Sequence, residues 1–324
     1  MAAPAHPDNG AASPPEIQVE HLTKRYRGVV ALEDISFSVE RGELFGIVGA
    51  DGSGKTTLMG VLAGLIPPDE GQVTVAGLDV ARRPKALATS IGYAAGALSL
   101  YRDLTLGQNF HFFADLYRLP LREYRERAQR LLELTGLAPF EGRLVRNLSG
   151  GMRQKAALAV TLLHQPSVLL LDEPSSGVDP ISRRDIWNIL YSLIAQGATL
   201  LVATSTFEDA ERCSRIAFLH SGRLLRVAPP GEFRTGMAGE VWEISELPTR
   251  RAREDLVSLP GLDRVNLLGG RLRVVCRDAQ CARRVEEWIA SSEYSSASLR
   301  QVAPTLEEAL ASLITRGAAA QSDG

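Results

Sequence analysis

The sequence predicts an α/β fold: a parallel-sheet core with an antiparallel β-subdomain near the N-terminus, a helical insert and a small C-terminal α+β appendage. Three observations carry this expectation. The runs ELFGIVG, PSVLLLDEP and ATLLVATS have the length and apolar content of buried strands. Helical segments separate them, as in βαβ units. The first run leads directly into a glycine-rich loop and then a helical stretch, TTLMGVLAGL.

The elements follow in order. Residues 1–15, rich in Pro and Ala, read as a disordered tail. IQVEHL, VVALEDISFSV and ELFGIVG alternate in strand fashion between Ile17 and Val48, and a strand pair follows at GQVTVAGLDV. From about Leu104 to His164 the pattern is helical, with amphipathic stretches such as LREYRERAQRLLELTGL, so the insert is placed at about 96–165. A helix from about Ser182 to Ala195 lies between PSVLLLDEP and ATLLVATS. The stretch LLVATSTFEDAE then reads as a strand passing into a helix, with Ser205 and Glu208 spaced as a capping box. A composition break at APPGEF closes a first domain, 16–234. The appendage, 235–316, reads as EVWEISEL, a charged helix, GGRLRVVCRD, another helix and a closing LEEALASLITR; residues 317–324 read as a second disordered tail.

Composition narrows the function. A chain of 324 residues with 45% hydrophobic and 23% charged residues buries a sizeable core, in about two domains. A net charge of −2 lacks the basic excess that nucleic-acid binding requires. The three cysteines, Cys213, Cys276 and Cys281, form no C-x-x-C pair, so neither a zinc site nor a disulfide framework is indicated. No apolar run reaches the ~18 residues of a membrane span, and the N-terminus does not read as a secretory leader.

Three motifs carry chemistry. GADGSGKT, from Gly49 through Ala50, Asp51, Gly52, Ser53, Gly54 and Lys55 to Thr56, fits G-x-x-x-x-G-K-[ST] between a predicted strand and a predicted helix, which Thr57 continues. Such a loop turns successive backbone N–H groups and a helix N-terminus toward phosphate oxygens. Lys55 supplies a compact cation, conspicuous where only 4 of the 36 basic residues are lysine, and the Thr56 hydroxyl suits Mg²⁺. VLLLDEP ends a hydrophobic strand in two acids: Asp172, suited to Mg²⁺, and Glu173, suited to polarising an attacking water as general base or positioning group. LSGGMRQK opens a helix with Ser149, Gly150 and Gly151; alone it reads first as an ordinary serine cap on a glycine turn, with an anion site as the other reading.

Taken together and in this order, these motifs resemble those of the ATP-binding-cassette (ABC) ATPases, over roughly Ile17 to Phe233. SSGVD resembles that family's D-loop, which assigns Asp179 to it. Tyr26 falls where the family places an aromatic residue on adenine; a core tyrosine is the other reading. GLIPPDEGQVTVAGLD, GVDPISRRDIW and PTLEEALASLI are similar to bacterial drug-exporter cassettes, above all the first cassette of tandem-cassette efflux ATPases. The resemblance implies a cassette on the cytoplasmic face of the cell membrane, docked on a separate permease. It also implies a head-to-tail cassette dimer with ATP and Mg²⁺ held between the phosphate loop of one chain and the Ser-Gly-Gly of the other.

Two family positions are missing. The family usually reads GYMPQ where this chain reads GYAAG, so Gly96 replaces a glutamine, and Gln108 lies too far downstream to substitute. The switch histidine is replaced by Ser205, which can donate one hydrogen bond but carries no charge. Ser205 reads first as a helix N-cap; a residual γ-phosphate contact and compensation by another residue are the alternatives. These losses fall on the chain's own site and spare its Ser-Gly-Gly. The expectation is therefore a subunit that hydrolyses ATP slowly at its own site and completes the site of a fuller partner. The alternatives are a regulatory subunit with negligible hydrolysis and a non-transport cassette.

Overall fold

The computed structural model of the protein describes residues 14–95, 100–247, 249–291 and 293–322. It divides into two units after Val227. In chain order the first unit contains β1 (Ile17–Tyr26), β2 (Val29–Val39), β3 (Leu44–Val48), α1 (Lys55–Leu62), β4 (Glu70–Val75), β5 (Leu78–Asp79), α2 (Pro84–Ser90) and β6 (Ile91–Ala95). There follow α3 (Leu106–Leu116), α4 (Leu121–Leu134), α5 (Gly150–Thr161), β7 (Val168–Asp172), α6 (Pro180–Ala195), β8 (Thr199–Thr204), α7 (Phe207–Ala210), β9 (Arg215–His220) and β10 (Arg223–Ala228, whose last residue begins the second unit).

Two sheets share one core. The antiparallel sheet runs β2-β1-β4-β5 and the second runs β10-β9-β3-β8-β7-β6, with β9, β3, β8, β7 and β6 mutually parallel. Every residue of β3, β7 and β8 is buried, which explains why these strands are unbroken apolar runs: both faces are covered. Ile17, Leu22 and Val75 of the first sheet pack with Ile47, Leu170 and Leu201 of the second and with Leu58 and Met59 of α1.

The insert has its own core, with Phe110 of α3, Leu132 of α4 and Val160 of α5 among its members. Thr105 and Gln108 form a complete capping box at the start of α3, so Gln108 is committed to that helix. Helix α6 begins earlier than the spacing predicts, because Asp179 caps it and Pro180 occupies its first turn.

The second unit contains α8 (Pro230–Thr235), β11 (Glu240–Ser245), α9 (Thr249–Val257), β12 (Leu262–Leu268), β13 (Arg271–Cys276), α10 (Ala279–Ser291), β14 (Ser298–Val302) and α11 (Leu306–Ser322). The antiparallel order β12-β13-β11-β14 with the connection β-α-β-β-α-β is the ferredoxin-like arrangement. Ile244, Leu272, Val274, Val285 and Ile289 lie in its core. Three expectations change here. The division falls after Val227, not after residue 234, because α8 packs against α11. Strands β12 and β14 were not anticipated; they are sheet edges, and Val265 is the one buried residue between them. Helix α11 runs on to Ser322 through an alanine-rich stretch of high helix propensity, where a tail was expected.

A buried ion pair fastens α11 to the sheet. Arg273 Nε and Nη2 donate to the two Glu308 carboxylate oxygens at 2.9 and 3.0 Å. The Thr305 N–H and hydroxyl donate to the same carboxylate at 2.8 and 3.0 Å. Burial opposes ionisation of Glu308, yet these bonds outweigh it and hold the carboxyl below its usual range. The stabilisation is full above an ordinary glutamate pKa of about 4.3 and is lost as pH falls through the lower folded-state value. Arg273→Met strands a buried carboxylate and is expected to cost about 3–5 kcal/mol at neutral pH, in urea unfolding of the second unit followed by Trp242 and Trp288 fluorescence. The loss should shrink in acid, where Glu308 is neutral. An equal loss at both pH values would contradict the pairing.

Candidate nucleotide site

The glycine-rich loop joins β3 to α1. Gly54 caps α1 with φ 108°, and a Cβ there would meet the Ala31 carbonyl oxygen at 2.8 Å, so only glycine fits. Lys55 is 6% exposed, and its Nζ donates to the carbonyls of Gly49 and Ala50 at 2.8 and 3.1 Å. The same ammonium lies 3.9 Å from both Asp51 Oδ1 and Glu173 Oε1. The parallel pairing of β3 with β8 and of β8 with β7 brings the loop and the two acids to the same sheet edge.

Asp172 ends β7. The Thr56 hydroxyl lies near its carboxylate, and Asp172 Oδ1 is buried without a protein partner. Burial raises the Asp172 carboxyl above its usual range, and the nearby Thr56 hydroxyl and the Lys55 charge offset only part of that. Glu173, the next residue, has φ 52°, an uncommon left-handed conformation for a glutamate. Its N–H donates to Ala203 of β8 at 2.9 Å, and its carbonyl accepts from Ser176 N–H at 3.2 Å and from Gln154 Nε2 of α5 at 3.3 Å. Burial also raises the Glu173 carboxyl; the nearby Ser205 and the Lys55 charge oppose the rise.

These groups share one cleft of about 530 Å³. Its walls include Asp51, Gly52, Gly54, Lys55, Thr56, Thr57, Asp172 and Glu173. Val29, Val30 and Ala31 of β2 and the Ser221-Gly222 turn of the β9–β10 hairpin complete it. The last two groups were not anticipated; the Ser-Gly dipeptide between two strands was the available signal for the hairpin, and only the fold places it here. A larger groove of about 810 Å³, between α4 and the base of the parallel sheet, mixes Arg and Glu side chains with apolar ones and has no phosphate loop.

The Ser-Gly-Gly residues form a second cluster, outside the cleft lining. The Ser149 hydroxyl accepts from Met152 N–H at 3.2 Å and caps α5. Ser149 and Gly150 are exposed. A Cβ on Gly151 would sit 2.1 Å from Ser182 Oγ, so glycine is needed for α5 to approach the start of α6. There Asp179 accepts from the N–H groups of Ile181 and Ser182 and from the Ser182 hydroxyl.

Three remaining positions stand apart. Tyr26 is 44% exposed and not in the core, its ring 5.5 Å from Lys24 Nζ and outside the cleft lining. Gly96 lies outside the described residues. Ser205 is not the helix cap that the S-x-x-E spacing predicts. Thr206 precedes the four-residue α7 and makes no side-chain cap bond. Ser205 lies near the Glu173 carboxylate instead, because β8 runs beside β7.

Comparison with known proteins agrees with this geometry. The family profile for ABC transporters matches residues 32–176. The chain is 43% identical over 225 residues to the probable multidrug ABC transporter ATP-binding protein YbhF of Escherichia coli K12; the match covers 69% of this chain but 39% of that protein. It is 35% identical over 278 residues to the Nod factor export ATP-binding protein I of Ralstonia nicotianae, covering 85% of each. A solved dimeric cassette, MJ0796 in a post-hydrolysis state with ADP and Pi, superposes with a TM-score of 0.61 at 27% identity, over 66% of this chain and 98% of that one. The phosphate loop, the paired acids at the end of β7 and these relatives converge: the chain belongs to the ATP-binding proteins of ABC transporters, a family of ATPases.

Proposed function

We propose that the chain is the ATP-hydrolysing subunit of an exporter, held at the cytoplasmic face of the cell membrane by a separate permease and paired with a second, fuller cassette. One observation carries the pairing. Lys55, Thr56, Asp172 and Glu173 share a cleft, whereas the exposed Ser149 and Gly150 lie outside its lining and are free to meet another chain's nucleotide. The Nod factor export protein among the relatives supports the direction of transport. Among the described residues no helix is long and apolar enough to cross a membrane, which agrees with a permease on another chain.

In this reading the loop N–H groups and the start of α1 bind the phosphates, and Lys55 leaves the Gly49 and Ala50 carbonyls for phosphate oxygens. Thr56 and Asp172 fit Mg²⁺: a hydroxyl beside a carboxylate with one buried, unpartnered oxygen is a hard oxygen donor set. Bound there, the ion would neutralise phosphate charge. Glu173 orients the attacking water. Gly96 and Ser205 replace two groups that the family uses at this site, which supports slow turnover by the chain alone.

Lys55→Ala is expected to abolish tight ATP binding, measured by titration calorimetry. Glu173→Gln should keep ATP bound while turnover falls by about 10²-fold or more. Wild-type turnover should be slow for the purified chain and should rise on adding its partner cassette. Brisk turnover by the chain alone, abolished by Glu173→Gln, would contradict the paired arrangement.

A further inference from the structure

We propose that Gly222, in the two-residue turn between β9 and β10, is a positioning residue for the phosphate loop: its backbone clamps the loop to β2 and thereby sets the affinity for ATP. The inference rests on the nucleotide reading of the cleft and concerns the same site. The Gly222 N–H donates to the Ser53 carbonyl at 3.0 Å, and the Gly222 carbonyl accepts from the Glu33 N–H of β2 at 2.8 Å. One residue of a hairpin in the second sheet thus bridges the loop and a strand of the antiparallel sheet. Ser221 and Gly222 both have positive φ, 48° and 78°, as a type I′ hairpin turn requires.

The fit leaves no room for a side chain. A Cβ on Gly222 would sit 2.8 Å from the Ala31 carbonyl oxygen and 3.1 Å from its carbonyl carbon, backbone atoms that cannot swing aside. Ser53 is 4% exposed, so its carbonyl needs a partner, and the turn supplies one. Side chains close the same clamp from outside. Arg223 Nε and Nη2 donate to the two Glu33 carboxylate oxygens at 2.8 and 3.0 Å. The residue that follows Gly222 is therefore joined to the residue whose N–H Gly222 accepts.

The clamp fixes the direction of a donor. In a trans peptide the carbonyl and the next N–H point opposite ways, and the described residues contain no cis peptide bond. Pinning the Ser53 carbonyl on the turn therefore sets the direction of the Gly54 N–H, in the wall of the cleft and at the cap of α1. The Ser53 N–H is held as well, donating to the Ala50 carbonyl at 3.1 Å. A loop preset in this way loses little freedom when phosphate arrives. A loop released from the turn must order first, and that cost falls on binding. Lys55, Thr56, Asp172 and Glu173 take no part in the clamp, so the effect belongs on KM and not on kcat.

Two measurements on the full chain test this. Gly222→Ala adds a Cβ that drives the turn off Ala31 and releases the Ser53 carbonyl. In calorimetric titration with ATP and Mg²⁺ it is expected to raise Kd about 10-fold. In steady-state ATPase assays, with the partner cassette where it is needed for turnover, KM should rise by a similar factor with kcat unchanged. An unchanged Kd, or a fall in kcat at constant KM, would overturn the assignment. The second measurement needs neither variant nor nucleotide. Amide hydrogen exchange of the wild-type chain, followed by NMR, should find the Gly222 N–H exchanging about 10-fold or more below the free-peptide rate. Exchange at the free-peptide rate would overturn the clamp. Protection in a chain that binds no ATP would uphold the clamp while defeating the nucleotide reading.

Discussion

Glu173 stands one residue beyond a fully buried strand, in a backbone conformation that costs of order 1–3 kcal/mol for a residue with a side chain. Three neighbours hold its backbone there: the Ala203 carbonyl of β8, the Ser176 N–H and Gln154 of α5. The rest of the site depends on that constraint. An extended residue here would turn the carboxylate to a face of the sheet. The left-handed turn swings it toward Lys55 and sends the following loop, Ser175 to Asp179, across the start of α5. One strained residue thus joins the sheet core, the helical insert and the loop that carries Asp179, so a shift of α5 has a direct hydrogen-bonded route to the acid.

Electrostatics explains why such a cleft suits a magnesium-bound polyphosphate. Two carboxylates raised by burial, Asp172 and Glu173, face one ammonium, and Asp172 Oδ1 lacks a protein partner. Groups left in that state are costly unless a cation and further donors complete them. The Ser-Gly-Gly cluster presents the opposite situation: an exposed helix start, its serine oxygen engaged as a cap, packed tightly onto α6 through Gly151. The two halves fit the same chemistry yet lie on different surfaces, as a site shared between chains requires.

Much of this was legible in the sequence where chemistry is written locally. The phosphate loop needs its glycines and lysine in consecutive order, the acids need the strand that carries them, and β3, β7 and β8 advertise burial as apolar runs. What escaped reading depends on which strands become neighbours. Ser205 shows local spacing for a cap, but α7 starts one residue later, with Thr206 in the cap position, and β8 lies beside β7, which puts Ser205 near Glu173. Val29, Ala31 and Ser221 enter the cleft only because β2 and the β9–β10 hairpin fold against the loop. In the second unit, β12 and β14 bury too little to mark themselves, so the ferredoxin-like order emerges only from pairing.

The central claim is that this chain's own cleft and its Ser-Gly-Gly serve two different nucleotides. The most direct measurement places Ser149→Arg in the assembled transporter and reads two signals: photo-crosslinking of an azido-ATP to this chain, and ATP hydrolysis by the assembly. The account predicts that crosslinking to the Lys55 cleft persists while hydrolysis collapses, because the second site has lost its closing donor. Hydrolysis left intact, or crosslinking lost from this chain's own cleft, would contradict it.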